Sequence, residues 1–237
     1  PGFIYSHVGD VVVEDVFAGT GYEHGQVVKE IQKTLKPHSF ATGKVMTVKN
    51  TTEHHPEGIG YNVAGLLVGS DPQLKDEIII VGGHLDHLGK AYTIMPGAND
   101  NASAVAVMMG MAEAFHKCSI KPSRSILFLA FGAEEQGVAG SDYYCEHPIF
   151  PLERTAAFIN MDGVGCGDKI SALAAENYPD FWEYVKKANE KYIHRLINPS
   201  YFANIARPRL DAARFMWKGI PTISFSVYGA PSYYHIP

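Results

Sequence analysis

His84, Asp100, Glu135, Asp162 and His235 offer imidazole and carboxylate donors from five separate stretches of a 237-residue chain. Glu134 and Asp86 stand beside two of them, and no Lys or Arg falls within these motifs. Carboxylates gathered within about 4–6 Å of one another stay partly protonated unless cations neutralise them. Two divalent ions would bring four positive charges to Asp100, Glu135, Asp162 and an ionised Glu134, so the charge balance favours two metals over one. Mixed nitrogen and oxygen ligation without thiolate suits zinc, with manganese or cobalt tolerated, whereas magnesium and calcium would not choose two histidines. Asp86 follows His84 by two residues, which in an extended segment places both side chains on one face. The sequence thus predicts that the Asp86 carboxylate accepts the second imidazole N–H. Glu134 and Glu135 leave the backbone in different directions, so one can ligate a metal while the other serves as general base.

These residues need a frame, and the apolar patterning supplies one. Strand-like and helix-like segments alternate without internal repeat, the mark of an α/β fold. Helical spacing is expected over Gly25–Leu35, Ala102–Lys117, Val138–Glu146, Tyr178–His194 and Asp211–Lys218. Strands are expected over Gly43–Val48, Tyr61–Val68, Glu77–Gly82, Ser125–Phe131, Ala156–Met161 and Pro221–Val227. Together they predict one α/β domain over residues 1–237, with a mixed, mainly parallel sheet and helices on both faces. Ligands of open α/β sheets bind beyond the carboxyl ends of the strands. Four such exits carry the residues of interest: His84 and Asp86, Glu134 and Glu135, Asp162, and the segment ending in Tyr234-His235.

Each residue also has a plainer reading. Asp100 ahead of a helix is an ordinary N-cap. Glu134-Glu135 would suit a first helical turn, and Asp162 could open a turn. A lone histidine is more often structural than a ligand. Five independent coincidences in this order are improbable together, which favours the metal reading. His54, His55 and His87 keep the plain reading, as loop or outer-wall residues. Met108, Met109 and Met111 read as helix packing.

The motifs resemble those of the di-zinc exopeptidases that include bacterial leucyl aminopeptidase, aminopeptidase Y and plasma glutamate carboxypeptidase, with glutaminyl cyclase as a single-zinc branch. Gly83-His84-Leu85-Asp86-His87-Leu88-Gly89 is similar to the first-ligand motif, and Gly97-Ala98-Asn99-Asp100-Asn101-Ala102-Ser103 to the bridging-aspartate motif. Ala133-Glu134-Glu135-Gln136-Gly137, Asn160-Met161-Asp162 and Tyr234-His235 resemble the remaining ones, and the likeness runs from about Gly58 to Pro237. The resemblance implies a zinc exopeptidase-like fold with Asp100 bridging two Zn2+ ions. His84 and Asp162 would complete one site, Glu135 and His235 the other. It further implies Glu134 as general base, Asp86 in a supporting catalytic role, and a cis bond between Asp100 and Asn101. The activity implied is hydrolysis of peptide substrates by a two-metal-activated water.

Three departures stand out. Family members commonly place a His after the Asp that opens the helix before the last strand, where this chain has Asp211-Ala212. No residue is assigned to steady the oxyanion, with Tyr201, Arg207 and Arg209 nearby. The family continues past the last His into a closing helix, so missing upstream segments and a missing closing helix are expected here.

Composition narrows the function. Twenty Lys+Arg against twenty-five Asp+Glu, with no basic block, exclude the charge footprint of a nucleic-acid binder. The longest apolar runs are far short of the roughly 20 residues a membrane span needs. Cys118, Cys145 and Cys166 have no paired spacing, which excludes a thiolate zinc knuckle. The leading expectation is an aminopeptidase. A glutamate-type carboxypeptidase or dipeptidase is the alternative, with Arg207, Arg209 and Arg214 as its only nearby cations. A glutaminyl cyclase and a catalytically silent binding module rank lower. The family's members are mostly secreted or periplasmic, and the same is expected here; the sequence leaves the oligomeric state open.

Overall fold

A computed structural model of the protein describes residues 8–49, 55, 57–90, 93–119, 121–202, 210–229 and 235. The chain divides into two compact units, Pro1–Pro56 and Glu57–Pro237. In the first, α1 (Asp10–Phe17) and α2 (His24–Thr34) are followed by chain without regular secondary structure. Phe40 packs on Phe17 and Tyr22, with ring centroids 5.6 and 4.3 Å away. The expected helix at Gly25–Leu35 is α2, which stops where Leu35 turns left-handed at φ 52°. Helix α1 was not anticipated. The strand expected over Gly43–Val48 does not form. A strand needs a neighbour to take up its ladder of N–H and C=O groups, and among the described residues this segment pairs with none; Val45 is 95% exposed.

The second unit is built on a seven-stranded sheet. Its strands are β1 (Val63–Leu67), β2 (Ile78–His84), β5 (Ser125–Phe131), β6 (Thr155–Met161), β7 (Lys169–Leu173), β8 (Ile197–Ser200) and β9 (Thr222–Tyr228), in the order β1-β5-β2-β6-β9-β7-β8. The four central strands, β5, β2, β6 and β9, are parallel, while β1 joins β5 and β7 joins β9 antiparallel. A small hairpin of β3 (Gly89–Lys90) and β4 (Ile94–Met95) follows β2. This is the mixed, mainly parallel sheet the sequence predicts. Strands β7 and β8 were missed because they are short, and β8 carries Pro199, a residue confined to edges.

The central strands are apolar at nearly every position because both of their faces are covered. On one face Ile78, Ile80, Leu127, Leu129, Phe131 and Phe158 pack with Tyr144 of α4 (Ala139–Glu146) and Phe215 of α6 (Asp211–Trp217). On the other, Val81, Ile126, Ala130 and Met161 pack with Ala104 and Met108 of α3 (Ser103–Lys117). Helix α5 (Pro179–Ala188) adds Phe181, Trp182 and Val185 against Ile223 and Phe225. The helix expected to run to His194 loosens after Ala188 into a wider turn, Asn189–Ile193. Burying this many large apolar side chains, each contributing about 1.5–3 kcal/mol, makes the carboxyl ends of β2, β5 and β6 a rigid platform.

Candidate metal centre

The site forms where the chain leaves β2, β5 and β6. His84 is the last residue of β2, aligned with Phe131 at the end of β5, and Gly82 of β2 aligns with Asn160 of β6. Glu134 and Glu135 follow β5, and Asp162 follows β6. Asp100 sits in a turn, Ala98–Ala102, that leads into α3, and the Asp100–Asn101 bond is cis, as the resemblance implied. That turn and the start of α3 lie directly on the sheet: a Cβ at Gly83 would come within 3.3 Å of Asn101 Nδ2 and 2.8 Å of Ala104 Cβ.

The Asn-Asp-Asn-x-Ser sequence pins this turn to the exit of β6. Asn101 is buried and donates to the Met161 carbonyl at 3.0 Å while accepting from the Gly163 N–H at 3.2 Å. Asn99 Oδ1 accepts from the Gly165 N–H at 2.8 Å, and Ser103 Oγ from the Val164 N–H at 3.0 Å. Asp100 is thereby held facing Asp162.

Two groups of donors meet at Asp100. Its Oδ1 lies 3.1 Å from His84 Nε2, which is also 3.7 Å from Asp162 Oδ1. Its Oδ2 lies 3.2 Å from His235 Nε2, which is 3.3 Å from Glu135 Oε1. The donor atoms of His84, Asp100 and Asp162 fall within 4.8 Å of one another, as do those of Asp100, Glu135, His235 and His87. All five sequence-predicted ligands are therefore brought together around the two oxygens of one carboxylate.

The fit to cations rests on unmet polar groups. Glu135 Oε1 is buried without a hydrogen-bond partner, and a buried unpaired carboxylate oxygen is costly. Among the described residues no lysine or arginine pairs with these carboxylates. Imidazole and carboxylate donors at such separations suit zinc ions about 2.0–2.2 Å from each ligand atom. The residues present thus fit metal binding, in two donor groups that both include Asp100.

Asp86 takes more partners than expected. His84 Nδ1 lies 3.0 Å from the backbone carbonyl of Asp86, the partner that leaves Nε2 free to face Asp100, and 3.7 Å from the Asp86 carboxylate. The carboxylate also accepts the backbone N–H groups of Glu134 at 3.0 Å and Glu135 at 3.2 Å. Asp86 thus clamps the turn after β5 through two amide donors while its carboxylate stays beside the His84 imidazole.

The charges couple strongly in the cation-free protein. Burial works against a charged His84, but the carboxylates of Asp100, Asp162 and Asp86 outweigh it and hold its pKa far above the ordinary histidine value. Burial also opposes ionisation of Asp86 and Asp100. In both, His84 reverses the balance, helped at Asp86 by the two amide donors and at Asp100 by His87 and His235, and each pKa is lowered. Glu134 goes the other way: burial, reinforced by Asp211, Asp162 and Glu135, pushes it to about 8. Asp211, at the start of α6, is pushed by burial to about 7.

Sequence reasoning passed over His87. It is nearly buried, with Nδ1 2.9 Å from Glu135 Oε1 and 3.8 Å from Asp100 Oδ2. The signal was present in the spacing, since a second imidazole three residues after the first stays within reach of the same strand end. Tyr201 is exposed. His54, Arg207, Arg209, Tyr233 and Tyr234 lie outside the described residues.

An α/β unit with two cation-type donor groups meeting at one aspartate beyond its strand ends defines a candidate metal-binding class of site. The chain belongs to peptidase family M28, whose model matches residues 62–237. It is 32% identical over 204 residues to aminopeptidase YwaD of Bacillus subtilis, covering 81% of this chain and 41% of that protein. A probable glutamate carboxypeptidase of Arthroderma benhamiae is 30% identical over 151 residues, covering 59% of this chain and 20% of the relative. Among solved structures, BSAP, a zinc aminopeptidase from Bacillus subtilis, superposes with a TM-score of 0.59 at 27% identity, covering 74% of this chain and 42% of that one. An aminopeptidase from Aneurinibacillus sp. strain AM-1 gives 0.61 at 28%, covering 74% and 41%. The chain spans about two fifths of the length of these aminopeptidases.

Proposed function

We propose that this chain carries the catalytic site of a zinc-dependent aminopeptidase that removes N-terminal residues from peptides. The observation that carries the reading is the meeting of two donor groups at the two oxygens of Asp100, beside an unligated, proton-loving Glu134. His84, Asp100 and Asp162 would hold one ion, and Asp100, Glu135 and His235 the second. Zinc bound there would supply Lewis acidity and a water of lowered pKa.

Glu134 takes a proton from the attacking water and passes it to the leaving amine. The Asp86 carboxylate fixes the backbone on which Glu134 stands, so the base is aimed by two hydrogen bonds. The acidic surroundings suit a substrate's free α-amino group. A free carboxylate would need a cation, and Arg214, the one such candidate among the described residues, is committed to Asp142 at 3.2 Å and lies over Trp217. No helix among the described residues is long and apolar enough to cross a membrane, and the reading extends to a secreted or periplasmic enzyme.

The test is metal analysis with an exopeptidase panel on the wild type and Glu134→Gln. The expected result is two zinc ions in both, turnover of aminoacyl-p-nitroanilides by the wild type, and a loss of about 10²–10⁴-fold in the variant. Unchanged turnover in Glu134→Gln removes the residue from the mechanism. Release from C-terminal substrates alone would favour the carboxypeptidase alternative.

A further inference from the structure

We propose that His87 is a fourth protein ligand of the cation shared by Asp100, Glu135 and His235. That position would then be closed by four side chains, while the His84 position keeps three and an open place for water. The proposal rests on the two-cation reading above and concerns which residues close one of its positions.

Geometry carries it. His87 Nδ1 and Glu135 Oε1 are 2.9 Å apart, yet both are buried and neither makes a hydrogen bond. One cation would satisfy both atoms at once, and the donor atoms of His87, Asp100, Glu135 and His235 all lie within 4.8 Å of one another. His235 Nε2 is 3.3 Å from Glu135 Oε1 and 3.2 Å from Asp100 Oδ2, and His87 Nδ1 is 3.8 Å from Asp100 Oδ2. Ligand atoms at 2.0–2.2 Å from a tetrahedral zinc are about 3.3–3.6 Å apart, which these separations bracket.

The ring is also specifically accommodated. A Cβ at Gly97 would stand 2.6 Å from His87 Cβ and 2.9 Å from its Cγ. Only a residue without a side chain lets the imidazole lie there, and Gly97 has the left-handed φ of 66° that glycine adopts without strain. On its far side His87 meets the His235 ring edge-on, with centroids 5.5 Å apart.

The consequence is asymmetry. Four protein ligands are the pattern of closed zinc sites, and three with an open position that of catalytic ones. The His87 position would be the tighter, and the His84 position would carry the exchangeable water.

The plainer role for His87 is a hydrogen-bond partner that orients Glu135. Asparagine separates the two roles, because its amide nitrogen can stand where Nδ1 stands and still donate to Glu135, whereas it is a poor zinc ligand. The experiment titrates zinc in a metal buffer onto the full chain, measuring bound metal for the wild type, His87→Ala and His87→Asn. Loss of an outer partner of a ligand costs about 10–100-fold in metal affinity, so loss of a ligand is expected to exceed about 100-fold. Both variants should lose the tighter ion by that factor and keep the weaker. Affinities unchanged in both variants, or restored in His87→Asn alone, overturn the proposal. A wild type that binds fewer than two ions overturns the two-cation reading instead. A measurement needing no variant stands beside these: cobalt at the tight position should show the intense visible bands of a four-coordinate ion, and weak six-coordinate bands would refute the closed site.

Discussion

The two halves of the candidate metal centre are anchored in different ways. His84 ends a buried central strand, and Asp162 follows another, while the turn carrying Asp100 is stapled to the exit of β6 by Asn99, Asn101 and Ser103. The other half stands on connections: Glu135 on the turn after β5, His87 beyond the end of β2, and His235 past the last strand. Ligands set at strand ends inherit the precision of the sheet, whereas ligands on loops depend on local clamps. Here the clamps are the Asp86 carboxylate beneath Glu134 and Glu135, and the glycine that seats His87. The site is thus half scaffold and half loop, joined at one carboxylate.

Asp100 is where the comparison can be broken most severely. Because its two oxygens face different groups, Asp100→Ala should empty both positions and lower turnover by about 10⁴-fold or more, the scale of losing a cooperating catalytic unit. His235→Ala should empty one position only. Equal metal loss from the two variants would show that the halves are not separate sites.

A smaller perturbation sharpens the distinction. Asn101→Ala leaves the Met161 carbonyl and the Gly163 N–H without their partner, at a cost of about 1–3 kcal/mol for buried groups left unpaired. The damage falls on the staple that faces Asp100 toward Asp162. Zinc affinity should therefore drop by about tenfold, the equivalent of 1.4 kcal/mol, at the strand-rooted position, with little change at the His235 position. Equal weakening at both would mean that the staple supports the whole site evenly.

The strand-rooted half was also the half most legible in sequence. Apolar runs fixed β2, β5 and β6 to within a residue or two because both faces of those strands are buried, and the strand-exit rule then selected His84, Glu134, Glu135 and Asp162. The pairing of ligands with metals came from resemblance; in the structure Asp100 Oδ1 faces His84 and Oδ2 faces His235. The loop half was harder. Whether a histidine three residues beyond a strand turns inward depends on what the opposing turn leaves open, and Gly97 decides that from ten residues away. Asp86 was placed beside His84, but its two further partners, backbone donors from a distant turn, carry no signature in the local sequence. Gly43–Val48 failed for the same reason in reverse: its strand propensity finds no neighbour among the described residues.

The smallest expected effect tests whether the halves are cation sites at all. Without cations, Glu134 and Asp211 hold protons up to about pH 8 and 7, against ordinary values of 4.5 and 3.8. The folded protein then binds protons that the unfolded chain has already released, so its stability falls as pH rises through that window. His84, whose pKa is raised from 6.5, adds a loss of the same sign above that value. Asp86 and Asp100, whose pKa values are lowered from 3.8, contribute stability that is lost only as pH falls below it. Metal-free protein should therefore melt a few degrees lower at pH 8 than at pH 5. Zinc requires its ligands deprotonated and binds only the folded chain, so it should reverse that slope. Melting temperatures of chelator-treated and zinc-loaded protein at the two pH values check this. Curves that run parallel, both rising toward pH 8, would mean that the carboxylates are balanced by protein charges and not by cations.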